Sequence, residues 1–272
     1  MKIYKSFLIM LCLSSLLFFS CDTILDLLGS SGSGGGNPFT ESEAVEAMKS
    51  ALNVGAEVSS EQLSQVDAYY KTSLKIPLPP EVDNAIKTLE SIPDAGSLLG
   101  NLSAKLVEKV VLSVNRSAEE AAKEVVPIFS KAITDMTVQD GIGIVRGERD
   151  AATTYLKDNT YNQLMDLYQP KMDAVLGKDL IGSMSANDAW ENLTSTYNSI
   201  VEKQTVKVAA QVARKDLKPI DTDLSEYVTG KALDGVFVKV AEEEGKIRDN
   251  PLDYAQSIIK KVFGAVKGML TN

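Results

Sequence analysis

The chain has 272 residues, with 28 Lys+Arg against 37 Asp+Glu, two Cys and no His. Without an imidazole there is no Ser-His-Asp or Cys-His nucleophile system, no His base and no His metal ligand. Aromatic residues make up 6% of the chain with a single Trp, which leaves sugar- or base-stacking platforms poorly supplied, and a net charge of −9 opposes a phosphate backbone.

Residues 1–20 read as a secretory signal. Lys2 and Lys5 give a positive start, and the run from Phe7 to Phe19 is apolar but short for a membrane-spanning helix. Ser20-Cys21 resembles the bacterial lipobox, with Phe18 where Leu is usual, so Cys21 is the expected lipidated N-terminus of the mature chain. Cys12 falls in the discarded signal, which leaves the body without a disulfide or a Cys metal site. Loss of Lys2 and Lys5 leaves 26 basic residues against 37 acidic ones, a net −11. Residues 21–38 form the lipidated N-terminus and a linker, whose Gly29–Pro38 stretch is Gly/Ser-rich and reads as flexible coil. Residues 39–272 are expected to be one helical domain.

Thr40-x-x-Glu43 is a capping box opening a helix with Ala44, Val45, Met48, Leu52 and Ala56 on its apolar face. A polar stretch to Thr72 leads into Lys75-Ile76-Pro77-Leu78-Pro79-Pro80, an extended strap with Pro80 at the first position of the next helix. That helix carries Val82, Ile86 and Leu89. Apolar residues then recur at three- and four-residue spacing from Leu98 to Met136, with a kink expected at Pro127. Thr137-x-x-Asp140 reads as a second capping box, opening a short helix that Gly147 ends in a left-handed cap. Helices are expected from Asp150 and from Thr160, the latter interrupted at Pro170, and another over 189–212. Asp223 opens a long helix bearing Val228, Leu233, Phe237 and Val240, and a last amphipathic segment follows Pro251. Strand alternation is nearly absent, so the fold class is all-α: a multi-helix bundle with a Pro-rich strap.

Several ordered blocks carry a family resemblance. They are Ile76-Pro77-Leu78-Pro79, Val114-Asn115-Arg116-Ser117-Ala118-Glu119, Met136-Thr137-x-x-Asp140 and Asp150-Ala151-Ala152-Thr153-x-Tyr155. The C-terminal block is the most distinctive: Tyr227-Val228-Thr229-Gly230-Lys231-Ala232-Leu233-Asp234-Gly235-Val236-Phe237, then Ala241-Glu242-Glu243-Glu244 and Ile247-Arg248-x-x-Pro251. Over roughly residues 42–266 the chain resembles the bacterial exported-protein family catalogued as domain of unknown function 4197, running longer between about Ala186 and Pro219. The resemblance implies an envelope protein, often lipid-anchored, with a helical domain, and carries over no catalytic or binding residue.

Candidate chemistry is sparse. Gly141-x-Gly143-x-x-x-Gly147 misses the spacing and the strand of a dinucleotide loop, and reads as close packing. Glu242-Glu243-Glu244 point about 100° apart on a helix, so a solvated face with Glu242–Lys246 and Glu244–Arg248 pairs is expected, not a cation site. Asn115, Arg116 and Glu119 interrupt the longest apolar stripe as packing or capping groups, or alternatively line a polar pocket. Gly235 marks a close packing contact in mid-helix. No catalytic residue, cofactor or metal is expected. The functional expectation is a non-enzymatic binding or scaffold module, lipid-anchored on the periplasmic side of a bacterial membrane, with an envelope protein or an apolar ligand as partner and no nucleic acid. The alternative is a carboxylate-dependent hydrolase acting on an envelope polymer.

Overall fold

A computed structural model of the chain describes residues 37–92 and 104–270. The signal segment, Cys21, the linker up to Gly36 and Leu98–Ser103 lie outside the described residues. Every α-helix among the described residues traces back to a local rule or to a tertiary contact that overrides one. α1 (Glu41–Leu63) opens on the Thr40–Glu43 capping box, with Glu43 N–H donating to Thr40 Oγ1 at 3.2 Å. It runs past Ala56 to Leu63, where the sequence suggests a polar loop. Ser59 is buried there and returns its hydroxyl to the Gly55 carbonyl at 2.6 Å, which lets a polar residue sit inside the helix.

Turns over residues 64–74 lead into the extended strap, and α2 (Pro80–Glu90) starts on Pro80 as expected. The long apolar stripe becomes α3 (Ala104–Ala121), a 3₁₀ turn over Ala122–Glu124 and α4 (Val125–Asp135). Pro127 sits in the first turn of α4, where its missing N–H costs no helical bond. α5 (Gly141–Arg146) is capped by Asp140, which accepts from Gly143 N–H at 2.7 Å; Thr137 is no part of a capping box. Gly147 is extended (φ −72°, ψ −164°) instead of left-handed, because a guanidinium from another helix takes the last carbonyls of α5.

α6 (Ala151–Leu176) joins two expected helices and runs through Pro170 without a break. An interior Pro costs about 3 kcal/mol, and burial of Tyr168, Met172, Val175 and Leu176, about 1.5–3 kcal/mol for each large apolar side chain, offsets it. Thr160, read as a helix start, lies inside α6 and donates its hydroxyl to the Leu156 carbonyl at 2.6 Å. The region 189–212 divides into α7 (Ala186–Val201), opened by a Ser185–Asp188 capping box, and α8 (Gln204–Val212). α9 (Leu224–Asp249), capped by Asp223, packs along α1 and α6, and α10 (Ser257–Leu270) packs along α1. The result is an all-α, multi-helix domain, with Phe39–Asn272 as one compact unit. No helix among the described residues is long and apolar enough to cross a membrane.

The solvated face expected at Glu242–Glu244 is half wrong. Glu243 and Glu244 are buried, and Lys246 pairs with Glu243 while Glu242 pairs with Lys239. Glu244 accepts from Ala152 N–H, Thr153 N–H and Thr153 Oγ1 at 3.0, 2.8 and 2.7 Å, so its carboxylate meets the positive end of α6. It also pairs with Arg248 at 2.6 Å, and Arg248 donates onward to the Val145 and Ile144 carbonyls at 2.7 and 3.1 Å. One i,i+4 pair on α9 therefore caps the end of α5 and the start of α6 together.

Candidate functional site

Asn115, Arg116 and Glu119 converge on the segment that precedes α2. Asn115 grips one residue of the strap with both ends of its amide: it accepts from Ile76 N–H at 2.9 Å and donates to the Ile76 carbonyl at 2.8 Å. Its second amide hydrogen goes to the Val111 carbonyl at 2.7 Å. Glu119 Oε1 accepts the backbone N–H groups of Tyr69 and Tyr70 at 3.1 and 3.4 Å, and Oε2 accepts from Arg116 at 2.6 Å. Arg116 reaches Asp67 at 2.5 Å, and Asp67 holds a left-handed φ of 70°. Hydrogen bonds from Lys71 and then Arg116 keep the Asp67 carboxyl below its ordinary range. Tyr69, fully buried, donates its hydroxyl to the Ala232 carbonyl at 2.8 Å with its ring against Gly235. All three side chains singled out from the sequence are thus engaged in holding a loop.

A second strap, residues 213–223, is held by the same device. Asn198 on α7 accepts from Ile220 N–H at 2.7 Å and donates to the Ile220 carbonyl at 3.1 Å. Arg214 at the start of this strap is left-handed (φ 54°). The two straps meet through α2, where Thr222 donates to Glu81 at 3.1 Å. Tyr227 on α9 ties the first strap by donating to the Pro77 and Leu78 carbonyls at 3.3 and 3.2 Å.

Two adjoining clefts, about 470 and 510 Å³, open beside α2 and the second strap and share Glu81 and Thr222. The first is walled by α6 and the start of α9, with Tyr161, Glu226, Tyr227 and Asp234 in its lining. The second is lined by α2, Tyr197 and the strap residues Asp216, Lys218 and Asp221. Across both clefts the lining holds six carboxylates (Glu81, Asp216, Asp221, Asp223, Glu226, Asp234) and two ammonium groups (Lys218, Lys231), so the groove is acidic.

The phenols of this groove are neutral donors. Burial raises the pKa of Tyr197, and burial together with the Asp234 and Glu81 charges raises those of Tyr161 and Tyr227. The Tyr197 hydroxyl is buried and has no hydrogen-bond partner among the described residues, although it sits in the cleft lining. A buried unpaired hydroxyl is costly, about 1–3 kcal/mol. Most of the carboxylates already have structural partners. Asp223 caps α9, Asp234 pairs with Lys157 at 3.0 Å and Asp216 with Lys218 at 3.1 Å. Among the described residues no group of three or more Asp or Glu is arranged to hold a metal ion.

Tyr227, Gly230, Lys231 and Asp234 of the groove fall in the distinctive Tyr227–Phe237 block, but none of the groove residues forms a catalytic or binding motif. A further signal is the density of acids over Asp216–Glu226, which says nothing of Glu81 across the groove. A family model described as "Protein of unknown function (DUF4197)" matches residues 38–264, most of the chain, and the chain belongs to that family. No curated protein and no solved structure matches it.

Proposed function

We propose that this member of the DUF4197 family is a cell-envelope lipoprotein, anchored through Cys21 on the periplasmic side of a bacterial membrane, whose helical body is a non-enzymatic binding module. Its ligand is a cationic, Lys/Arg-rich segment of an envelope protein, and it lies in the acidic groove beside α2 and the second strap. The observation that carries this reading is the lining of that groove: six carboxylates against two ammonium groups. Charge of one sign in a cleft steers and orients an opposite charge, and tyrosines supply contact area with a polar tip. Two adjoining clefts that share Glu81 and Thr222 suit an extended segment better than a compact metabolite. The polar lining argues for such a segment over an apolar ligand.

The hydrolase alternative needs a pair of carboxyls about 5–9.5 Å apart, one of them free to deliver a proton. The caps and ion pairs of Asp223, Asp234 and Asp216 commit those groups to structure, which favours binding over catalysis.

The test is site-specific photo-crosslinking in living cells, with the probe at Met165 in the groove lining. A discrete protein adduct that disappears in the Asp221→Lys/Glu226→Lys variant is expected. Adducts unchanged by that charge reversal, or none at all, would refute the groove as the binding face.

A further inference from the structure

In a body that is acidic overall, basic side chains gather at one cleft of about 460 Å³ on the opposite side of α9's sequence from the groove residues: Arg146, Arg149, Arg248 and Lys267 line it, with Asp249 as the sole acid in the lining. Each is positioned by the fold. Arg149 lies across Gly245, where a Cβ would fall 2.6 Å from its Nε, and makes a two-pronged pair with Asp249 at 2.8 and 2.7 Å. Arg248 is held by Glu244 and carries its guanidinium over the Phe263 ring at 5.3 Å. Lys267 donates to the Asp249 carbonyl.

The rim of this cleft is apolar. Leu270, 82% exposed, lines it, and Met269 beside it is 44% exposed, with its sulfur 3.6 Å from the Arg146 guanidinium. Exposed Leu and Met beside clustered Arg and Lys is the composition of surfaces that enter the headgroup layer of a bilayer. The position of the cleft fits that composition. The compact unit begins at Phe39, whose ring lies under the Arg146 guanidinium at 5.9 Å, so the N-terminal end of that unit is at this cleft.

We infer that the Arg146/Arg149/Arg248/Lys267 cleft with its Leu270 rim is a docking surface for anionic phospholipid headgroups, which seats the body on the membrane that holds its tether. The remaining surface, which carries the net negative charge, is repelled by such a membrane, and the acidic groove is left open to its partner. The inference rests on the lipid-anchor reading only for the nearness of a membrane, and the experiment leaves the anchor out so that the two fail separately.

Residues 39–272, the compact unit with its own core, are floated with phosphatidylcholine vesicles and with vesicles containing 30 mol% phosphatidylglycerol. Flotation with the anionic vesicles alone is expected, falling steeply between roughly 0.05 and 0.5 M salt. Neutralising two of the lining cations, Arg146→Gln with Lys267→Gln, is expected to lower the partition coefficient about 25-fold. Leu270→Asp, at a position too exposed to unfold the body, is expected to lower it severalfold. Lys218→Gln, in the acidic groove, is expected to change nothing. Absent or salt-independent flotation, equal flotation with phosphatidylcholine, or release by millimolar inorganic phosphate would each overturn the docking surface. So would unaltered partition of the Leu270→Asp protein.

Discussion

The two Asn grips offer a matched pair of perturbations. Asn115 and Asn198 each hold one strap residue by its N–H and C=O, but in different surroundings. Asn115 is fully buried and Ile76 is 1% exposed, whereas Asn198 and Ile220 are half-buried. Asn115→Ala leaves the Ile76 N–H and carbonyl buried with no donor or acceptor to meet them, at about 1–3 kcal/mol each. Val111 keeps its helical donor and is not orphaned. The expected loss is about 3–4 kcal/mol, a large part of the 5–15 kcal/mol typical of a folded domain, and about 10 °C in Tm for a body of this size. Asn198→Ala exposes its strap to water, which replaces both bonds, so only the net value of two hydrogen bonds is lost, about 1–2 kcal/mol. Urea unfolding of both variants, followed by far-UV circular dichroism, measures the difference. Equal losses, or a loss under 1 kcal/mol for Asn115→Ala, would show that the grips do not hold the straps.

Other perturbations test other parts of the account. Gly235→Ala, which helix propensity alone predicts to stabilise by about 1 kcal/mol, is expected to destabilise by about 1–3 kcal/mol, because its Cβ would fall 2.6 Å from Tyr69 Cε1 in a fixed ring; thermal melting gives the sign. Glu244→Leu removes the cap of α6 and strands Arg248, which is 12% exposed, and is expected to cost about 3–5 kcal/mol in chemical denaturation. With no His, stability is expected to be flat from about pH 6 to 8. Lys71 and Arg116 hold the Asp67 carboxyl low, so its contribution is present above the unfolded carboxylate pKa near 3.9 and is lost as pH falls through the lower folded value. Burial raises the Tyr69 and Tyr168 phenols, so their contribution is present below pH 10 and is lost as pH rises through their higher folded values. Urea midpoints that move between pH 6 and 8 would contradict the flat region, and midpoints that rise as pH falls below about 4 or climbs above about 10 would contradict the two signs. Cys21→Ser is expected to abolish palmitate labelling of the chain in cells.

The helices were legible where local chemistry decides them. Thr40, Pro80 and Asp223 mark starts that the structure keeps, and the spacing of Val110, Val114, Ala118 and Ala121 marks a buried face. Reading failed where a distant side chain completes a helix end. Gly147 needs no left-handed cap once Arg248 supplies donors to the α5 carbonyls, and Pro170 ends nothing when the residues around it are buried. Asn115, Arg116 and Glu119 stood out because polar groups interrupt an apolar stripe, yet their partners, Ile76, Asp67 and the Tyr69 backbone, lie some forty to fifty residues away. The groove was invisible for the same reason: Glu81 and Glu226 meet only because two straps are pinned beside α2 and α9.

The most direct test of the groove is a calorimetric titration of residues 39–272 with a Lys/Arg-rich peptide and with an acidic peptide of the same length. Binding of the basic peptide alone, weakened by salt and reduced severalfold by Asp221→Asn with Glu226→Gln, is the predicted result. Equal binding of both peptides, or a basic-peptide affinity untouched by those substitutions, would contradict it.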